Sequence, residues 1–322
     1  MDNQTLTTDS SIILQNRIDF IKNNLIIHLS QFSFATRCQY AICNRVQDTY
    51  PLDAIVDTNE LNKLKNNDKV YINILIPNII EAIDTLYNFL NQKFNEDNTS
   101  LQLYFLIMGE PIIPDWIVNK LYPFTIRMYL QNNTYNDPKI GFMPIGISDG
   151  EEVFKEHQYF SSQFLLDEAN KICKKEFFCL LCFSNTDPER IVCENVLSKS
   201  RFIFNLNKAG FNGQPSKYCG NVPILINYEY THKSLYVLSP TGVGQATHRF
   251  FEAIALHSIP IVKKTNTPFD ALYDFFPCLV VDNWQDITSK LLQKNLFNLT
   301  QKMDDFHNLY PDFLTYPYDF CI

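Results

Sequence analysis

A pair of glycines before a predicted helix is the feature of this sequence that most directly suggests chemistry. Gly242 and Gly244 follow an apolar strand, and the next helix begins at Thr247 with Arg249 in its first turn. Glycine lets backbone amides come close to ligand oxygen atoms. A helix N-terminus offers unpaired N–H groups at the positive end of its dipole. Together with the arginine cation, this segment predicts a binding site for a diphosphate.

Two more polar residues of this helix, His248 and Glu252, are four positions apart and therefore share one face. A carboxylate one turn behind a phosphate site can accept hydrogen bonds from two vicinal ribose hydroxyls. The alternative is that His248, Arg249 and Glu252 form a solvated helix face without a ligand. Their position between a glycine pair and an apolar strand favours the nucleotide site.

The same segment can be compared with the dinucleotide fingerprint, which requires G-x-G-x-x-G and an acidic residue roughly 20 positions further on. Here Thr247 stands in the place of the third glycine, and the next strand ends in Lys263–Lys264 rather than in a carboxylate. Two lysines do not accept from a ribose diol, but they suit a 2′-phosphate. An NADP-type Rossmann oxidoreductase therefore stays open as an alternative.

Composition and charge argue against several other classes of protein. The chain has 322 residues, of which 46% are hydrophobic, and a formal net charge of −8. This length exceeds the ~250–300 residues of a single core and predicts two domains. The lack of clustered Lys and Arg argues against a nucleic-acid partner. No run reaches the ~18 apolar residues of a transmembrane segment, and the polar N-terminus does not resemble a signal peptide.

Nine cysteines, an odd number, form no regular disulfide framework. Cys179 and Cys182 make a C-x-x-C pair, but they lie in the apolar run FFCLLCF, whereas zinc ligands of this spacing stand in polar turns. We therefore expect buried and reduced thiols, which favour a cytoplasmic location.

Alternating strand and helix patterns predict an α/β fold with mainly parallel sheets. A polar stretch at 148–158 interrupts the alternation. We expect an N-terminal Rossmann-like domain over 1–150 and a C-terminal one over 151–322, facing each other across a cleft, with an aromatic-rich helical tail that returns to the N-terminal domain. The predicted helices are 11–32, 78–94, 164–174, 188 onward, 247–257 and 284–293, and the predicted strands are 69–77, 101–108, 124–130, 139–147, 176–184, 201–206, 234–240, 259–262 and 278–282.

The C-terminal half resembles exostosin-like glycosyltransferases over residues 177–292. The run SPTGVGQATHRFFEAIALHSIPIV carries that family's serine-proline, glycine pair, threonine-histidine-arginine, glutamate-alanine and isoleucine-proline strand. The run LYDFFPCLVVDNWQDIT carries its tyrosine turn, proline-started strand and tryptophan-led helix. The resemblance implies the GT-B architecture, in which the C-terminal domain binds the nucleotide-sugar donor and the acceptor lies between the domains.

By this resemblance Glu252 would hold the ribose, while Arg190 and Arg249 would hold the diphosphate. His257 departs from the family, because a glycine usually stands there at the end of the helix. Histidine tolerates the left-handed conformation better than most residues, so the helix end is expected to survive. The predicted donor site comprises Arg190, Ser239, Gly242, Gly244, Thr247, His248, Arg249 and Glu252.

Neither a bound metal ion nor a cofactor is expected. The chain contains no Asp-x-Asp pair, and Asp304–Asp305 are adjacent, so their side chains diverge on a helix. Cations and a helix N-terminus would stabilise the diphosphate in place of an ion. The donor substrate is expected to be linked to UDP or GDP.

The sequence thus predicts a metal-independent glycosyltransferase that moves a sugar to a hydroxyl of a glycan or glycoconjugate acceptor, with Arg249 stabilising the leaving diphosphate. The base that activates the acceptor is expected at the carboxyl edge of the N-terminal sheet. Glu110 follows strand 101–108, and Asp115 and Asp149 lie on similar loops. A further alternative is a catalytically inactive protein that binds the nucleotide sugar.

Overall fold

The computed structural model describes residues 38, 40–42, 58–76, 78–97, 100–109, 112–148, 151–154, 157–208, 222–242, 244–245 and 247–310, and for a few of these, such as 157–163, the backbone alone. These residues belong to two compact units, which divide between Pro144 and Ile145. The predicted helix at 11–32 and the expected C-terminal tail beyond residue 310 lie outside the described residues.

The N-terminal unit is built on parallel strands joined by helices. Its described strands are β1 (Tyr40–Ile42), β2 (Lys69–Asn73), β3 (Leu103–Met108), β4 (Thr125–Leu130) and β5 (Ile140–Phe142), and its described helices are α1 (Thr58–Leu61), α2 (Ile79–Asp97) and α3 (Asp115–Leu121). The five strands form one sheet in the order β1-β2-β3-β4-β5, with every pair parallel. A parallel sheet is usually covered on both faces, which explains why β3 is apolar along its whole length.

The turn that ends β3 requires glycine. Gly109 has a φ of 152°, and a Cβ atom at this position would lie 2.0 Å from Cγ1 of Ile74. Gln131, which is buried directly after β4, accepts a hydrogen bond from the Gly109 amide at 3.1 Å. No other residue type fits this backbone conformation and this space, so the end of β3 is fixed by its two neighbours.

The C-terminal unit begins with an antiparallel hairpin of β6 (Glu151–Phe154) and β7 (His157–Phe160). Five parallel strands follow, namely β8 (Phe177–Leu181), β9 (Ile203–Asn205), β10 (Ser234–Leu238), β11 (Ile259–Lys263) and β12 (Leu279–Val281). The helices of this unit are α4 (Ser161–Ala169), α5 (Pro188–Leu197), α6 (Ile224–His232), α7 (His248–Ala255), α8 (Ala271–Phe275) and α9 (Ser289–Leu309).

The predicted α/β fold with two parallel sheets is confirmed, and three local differences have physical reasons. The polar stretch around residue 151 forms the hairpin, because Glu151–Phe154 and His157–Phe160 pair antiparallel and so satisfy each other's backbone N–H and C=O groups. Helix α6 was not expected, since its apolar and polar residues are distributed around the helix and show no helical period. The segment from Trp284 forms only a short 3₁₀ turn, and α9 begins later, where Thr288 caps it by accepting from the Leu291 amide.

The strand order of the C-terminal sheet identifies the edge at which a ligand would bind. The order is β12-β11-β10-β8-β9. The chain passes from β8 to β9 on one side and then crosses to the other side for β10, β11 and β12. In open α/β sheets, ligands bind outside the carboxyl ends of the strands at this reversal. The loops that follow β8 and β10 meet there.

Among the helices that the structure describes, α2 and α9 are the longest, with 19 and 21 residues. Neither these nor the other described helices combine the length and the apolar character that a bilayer span requires.

Candidate functional site

Arg190 joins the two loops at the reversal of strand order. It lies in the first turn of α5. Asp187 caps this helix, because its side chain accepts a hydrogen bond from the Glu189 amide at 2.8 Å. The Arg190 guanidinium donates to the carbonyl of Ser184 at 3.1 Å and to the hydroxyl of Thr186 at 3.0 Å, both after β8. Its Nε donates to the carbonyl of Thr241, after β10, at 3.2 Å. The Arg190 side chain therefore connects the two loops at the point where the strand order reverses.

Gly242 provides the space that Arg190 occupies. A Cβ atom at position 242 would lie 2.7 Å from Nη2 and 3.3 Å from Cζ of Arg190. The Gly242 amide donates to the carbonyl of Gly244 at 3.0 Å, which closes a tight turn. The sequence predicted these glycines for close approach of the backbone to a ligand, and the structure shows that Gly242 admits an arginine as well.

Arg249 and Glu252 are buried, with exposed fractions of 8% and 5%. Arg249 Nη1 donates to Oδ1 of Asn227 at 2.7 Å, and the Tyr228 hydroxyl donates to Oε1 of Glu252 at 3.2 Å. The solvated-face alternative is therefore wrong for these two residues. Both partners come from α6, the helix that the sequence pattern did not reveal.

The second oxygen of Glu252, Oε2, has no hydrogen-bond partner among the residues that the structure describes. A carboxylate with one oxygen held by Tyr228 is fixed in orientation, and its other oxygen keeps its acceptor sites. This arrangement supports an interaction with ligand hydroxyls. The ribose assignment itself stays a prediction.

Cys182, directly after β8, is fully buried beside this pair. Burial raises the pKa of its thiol, while the neighbouring Arg249 guanidinium, which is within hydrogen-bonding reach, opposes that shift. Cys179 is also fully buried, and burial raises the pKa of its thiol. The expectation that the C-x-x-C pair forms buried core thiols is confirmed.

Thr247 occupies the N-cap position of α7, as predicted, with extended backbone angles. Its side chain makes no capping hydrogen bond, so it does not occupy the N–H groups of the first turn. His248, the first residue of α7, places Nδ1 at 2.9 Å from the carbonyl oxygen of Gly146. The beginning of α7 is thus attached to the beginning of the C-terminal unit.

Ser239 belongs to the end of the strand ladder. Its amide donates to the carbonyl of Ile261 at 2.9 Å, and its hydroxyl turns back to the carbonyl of Val237 at 3.5 Å. The residue is 4% exposed. These contacts explain Ser239 as a structural residue of the strand end, and its predicted contact with the donor stays a prediction.

The loop after β11 contacts and supports the Gly242–Gly244 loop. The sequence did not reveal this contact. Gln245 Nε2 donates to the hydroxyl of Thr267 at 3.2 Å. Asp270 holds the loop by accepting from the amides of Thr265 and Asn266, both at 2.9 Å. Asn266 adopts a φ of 56°, so the turn is tight. The only signal in the sequence was a threonine-rich and asparagine-containing segment before a proline.

The two lysines that favoured an NADP site are paired with carboxylates. Lys263 Nζ lies 2.9 Å from Oε1 of Glu189, which also accepts from the indole of Trp284. Lys264 Nζ lies 3.0 Å from Oδ1 of Asp282. The feature on which the oxidoreductase alternative depended therefore has a structural explanation that requires no phosphate.

Of the three carboxylates predicted as the acceptor base, the structure describes Asp115. Glu110 and Asp149 lie outside the described residues. Asp115, the first residue of α3, accepts a hydrogen bond from the Tyr135 hydroxyl. Burial, followed by this hydrogen bond, raises the pKa of Tyr135. Among the described residues, no cluster of three or more His, Cys, Asp or Glu side chains could hold a metal ion.

Comparison with known proteins gives distant structural similarities. No family model and no curated protein matches the chain. It resembles trehalose-6-phosphate synthase OtsA with a TM-score of 0.43 and 10% identity, over 80% of this chain and 72% of that chain. A UDP-forming trehalose-phosphate synthase from Burkholderia xenovorans gives a TM-score of 0.42 and 10% identity, over 81% and 74% of the chains. An E. coli trehalose-6-phosphate structure bound with UDP-2-fluoro glucose gives 0.40 and 10%, over 87% and 82%. Similarity at this level assigns neither a family nor an activity to the chain.

Proposed function

We propose that the C-terminal unit binds a nucleoside-diphosphate sugar and that the protein transfers its sugar to a hydroxyl of a glycan or glycoconjugate. The observation that carries this proposal is the position of Arg190, held between the loops after β8 and β10 at the reversal of strand order. A fixed cation beside a glycine turn and a helix N-terminus suits a diphosphate.

In the proposed site the diphosphate lies beside the Gly242–Gly244 turn and the first turn of α7, with Arg190 as its principal cation. Glu252 accepts from the ribose hydroxyls through Oε2. Arg249 contributes to the charge at the leaving diphosphate, although its Nη1 is already used by Asn227. Because an arginine whose geometry is set in advance needs no reorganisation when charge develops, it stabilises the transition state effectively.

Three finer points belong to the same proposal. The exostosin-like resemblance of residues 177–292 supports a relationship to those glycosyltransferases. Transfer proceeds without a metal ion, since cations of the chain itself stabilise the diphosphate. The acceptor is activated by a carboxylate of the chain, Glu110 or Asp149, both of which follow predicted strands.

Ligand-induced thermal stabilisation tests the binding step. UDP, GDP, ADP and NADPH are each added to the purified protein with EDTA or with Mg²⁺. A ligand at 100 times its Kd adds about 2.7 kcal/mol to the free energy of unfolding. We expect UDP or GDP to raise the Tm equally with EDTA and with Mg²⁺, and Arg190→Ala to abolish the rise. Arg201→Ala, which removes an exposed arginine of the same unit, is the matched control and should respond as the wild type does.

The outcomes separate the competing functions. Stabilisation by NADPH alone would support the oxidoreductase and overturn the proposal. Stabilisation by a nucleoside diphosphate without transfer or slow hydrolysis of any sugar donor would identify an inactive binding protein. Stabilisation that requires Mg²⁺ would contradict the metal-independent mechanism while leaving the donor site in place.

A further inference from the structure

The contact of His248 with Gly146 determines which ring nitrogen carries the proton. Nδ1 of His248 lies 2.9 Å from the backbone oxygen of Gly146. A carbonyl oxygen can only accept a hydrogen bond, so Nδ1 must donate it. In the neutral imidazole, the other nitrogen, Nε2, then has a lone pair and acts only as an acceptor.

His248 is next to the proposed donor site along the chain. It is the first residue of α7, four positions after Gly244, and its side chain is half-buried. Within the described part of the chain, Nε2 has no hydrogen-bond partner. The contact of Nδ1 with Gly146, whose φ of 70° belongs to the left-handed region, fixes the ring in position.

The chemistry of Nε2 selects the kind of group that it can contact. Phosphate oxygens are acceptors, so a neutral ring with its lone pair at Nε2 does not bind them. A hydroxyl group is the matching donor. A nucleotide sugar offers hydroxyls on the ribose and on the transferred sugar, and Glu252, one turn further along α7, is already assigned to the ribose in the proposed function.

We propose that His248 Nε2 accepts a hydrogen bond from a hydroxyl of the transferred sugar and that His248 thereby determines donor specificity. This inference rests on the proposed function. It makes His248 a contact of the sugar rather than of the diphosphate, and it assigns Gly146 the role of setting the tautomer.

Two substitutions separate the two ring nitrogens. In His248→Asn the amide nitrogen takes the place of Nδ1, so the bond to Gly146 is retained and the acceptor at Nε2 is lost. In His248→Gln the carboxamide reaches the place of Nε2, so an acceptor is retained and the bond to Gly146 is lost. The nucleotide sugar that the wild-type protein binds most tightly is identified first. Dissociation constants of that donor and of its nucleoside diphosphate are then measured by calorimetry at about pH 8, where imidazole side chains are ordinarily neutral.

We expect His248→Asn to bind the nucleotide sugar about three- to tenfold more weakly than the wild type, as for the loss of one uncharged hydrogen bond. Its affinity for the nucleoside diphosphate should stay within about twofold, and its Tm should not change. His248→Gln should retain more of the preference for the sugar and have a lower Tm. Equal losses for both ligands in His248→Asn, or unchanged affinity for the nucleotide sugar, would overturn the proposal.

Nitrogen-15 spectra of histidine-labelled wild-type protein provide a second measurement that needs no variant to fold. We expect His248 to show the Nδ1-protonated tautomer, and the Nε2 resonance to shift when the nucleotide sugar is added but not with the nucleoside diphosphate. An Nε2-protonated ring would refute the inference. The tautomer can be measured without any ligand, so the two proposals fail in different ways. A wild type that binds no nucleotide sugar at all would refute the proposed function.

Discussion

Replacement of Gly242 by alanine should separate activity from stability in this protein. Gly242 does not adopt a left-handed φ, so an alanine there does not strain the backbone. Its Cβ atom would lie 2.7 Å from Nη2 of Arg190. Carbon contacts are optimal at about 3.5–4.0 Å, so the guanidinium must move by roughly 1 Å.

This displacement affects the hydrogen bonds that hold Arg190 across the two loops, which are 3.0–3.2 Å long. The obstructing atoms are at the end of a flexible side chain that can swing away. The free energy of unfolding should therefore fall by less than about 1 kcal/mol. A misplacement of about 1 Å can reduce turnover by about 10²-fold, which is also the lower end of the range for losing a charge-stabilising donor.

A double-mutant cycle with steady-state sugar transfer is the assay. Gly242→Ala and Arg190→Ala should each lower kcat/KM by about 10²-fold, with Tm measured in parallel. Because the alanine acts only through Arg190, the double variant should be no worse than Arg190→Ala alone, rather than showing the roughly 10⁴-fold loss of two independent effects. Wild-type transfer by Gly242→Ala, or additive losses in the double variant, would refute the reasoning.

Four further predictions concern other parts of the protein. Glu252→Gln should weaken binding of the nucleoside diphosphate by about tenfold in calorimetry while keeping the fold, because the amide oxygen still accepts from the tyrosine hydroxyl, whereas the amide nitrogen that replaces Oε2 can only donate and accepts nothing from the ribose hydroxyls; unchanged affinity would contradict the ribose role. Arg249→Ala should lower both turnover and the free energy of unfolding, the latter by about 1–3 kcal/mol in denaturant titration, because it leaves a buried asparagine without its partner; a stable variant would show that the buried pair is unimportant for folding. Glu110→Gln should keep donor affinity while transfer falls by ~10²-fold or more; near-normal transfer would exclude Glu110 as the base and leave Asp149 as the candidate. Burial, then the positive charge of the adjacent His307, lowers the pKa of His257 to about 4, and burial lowers the pKa of His307. The unfolded chain therefore binds more protons between about pH 4 and 6.5, and stability is lost as pH falls through that window. His307→Gln, which can still donate to the Ile254 carbonyl, should show a smaller drop in Tm from pH 7 to 5.

The sequence by itself determined those features that depend on neighbouring residues. Apolar runs with turn residues between them determined the strands β2, β3, β8 and β10, since a strand buried on both faces must be apolar along its length. The residue types at Thr247 and Pro188 indicated where two helices begin, because the N-cap and the first helical position have local preferences. His257 was expected to tolerate the left-handed conformation, and its φ of 52° confirms it.

The contacts that make the site were decided only by the tertiary structure. Arg190 meets Thr241 across 51 positions of sequence, Arg249 meets Asn227 across 22, and Lys263 meets Glu189 across 74. The order β10-β8-β9 brings these partners together, and strand order depends on which sheet edges and helices pack best, not on any local pattern. The same lysine therefore indicated a phosphate site in the sequence and forms an ion pair in the fold, because a side chain's role is set by the groups that surround it.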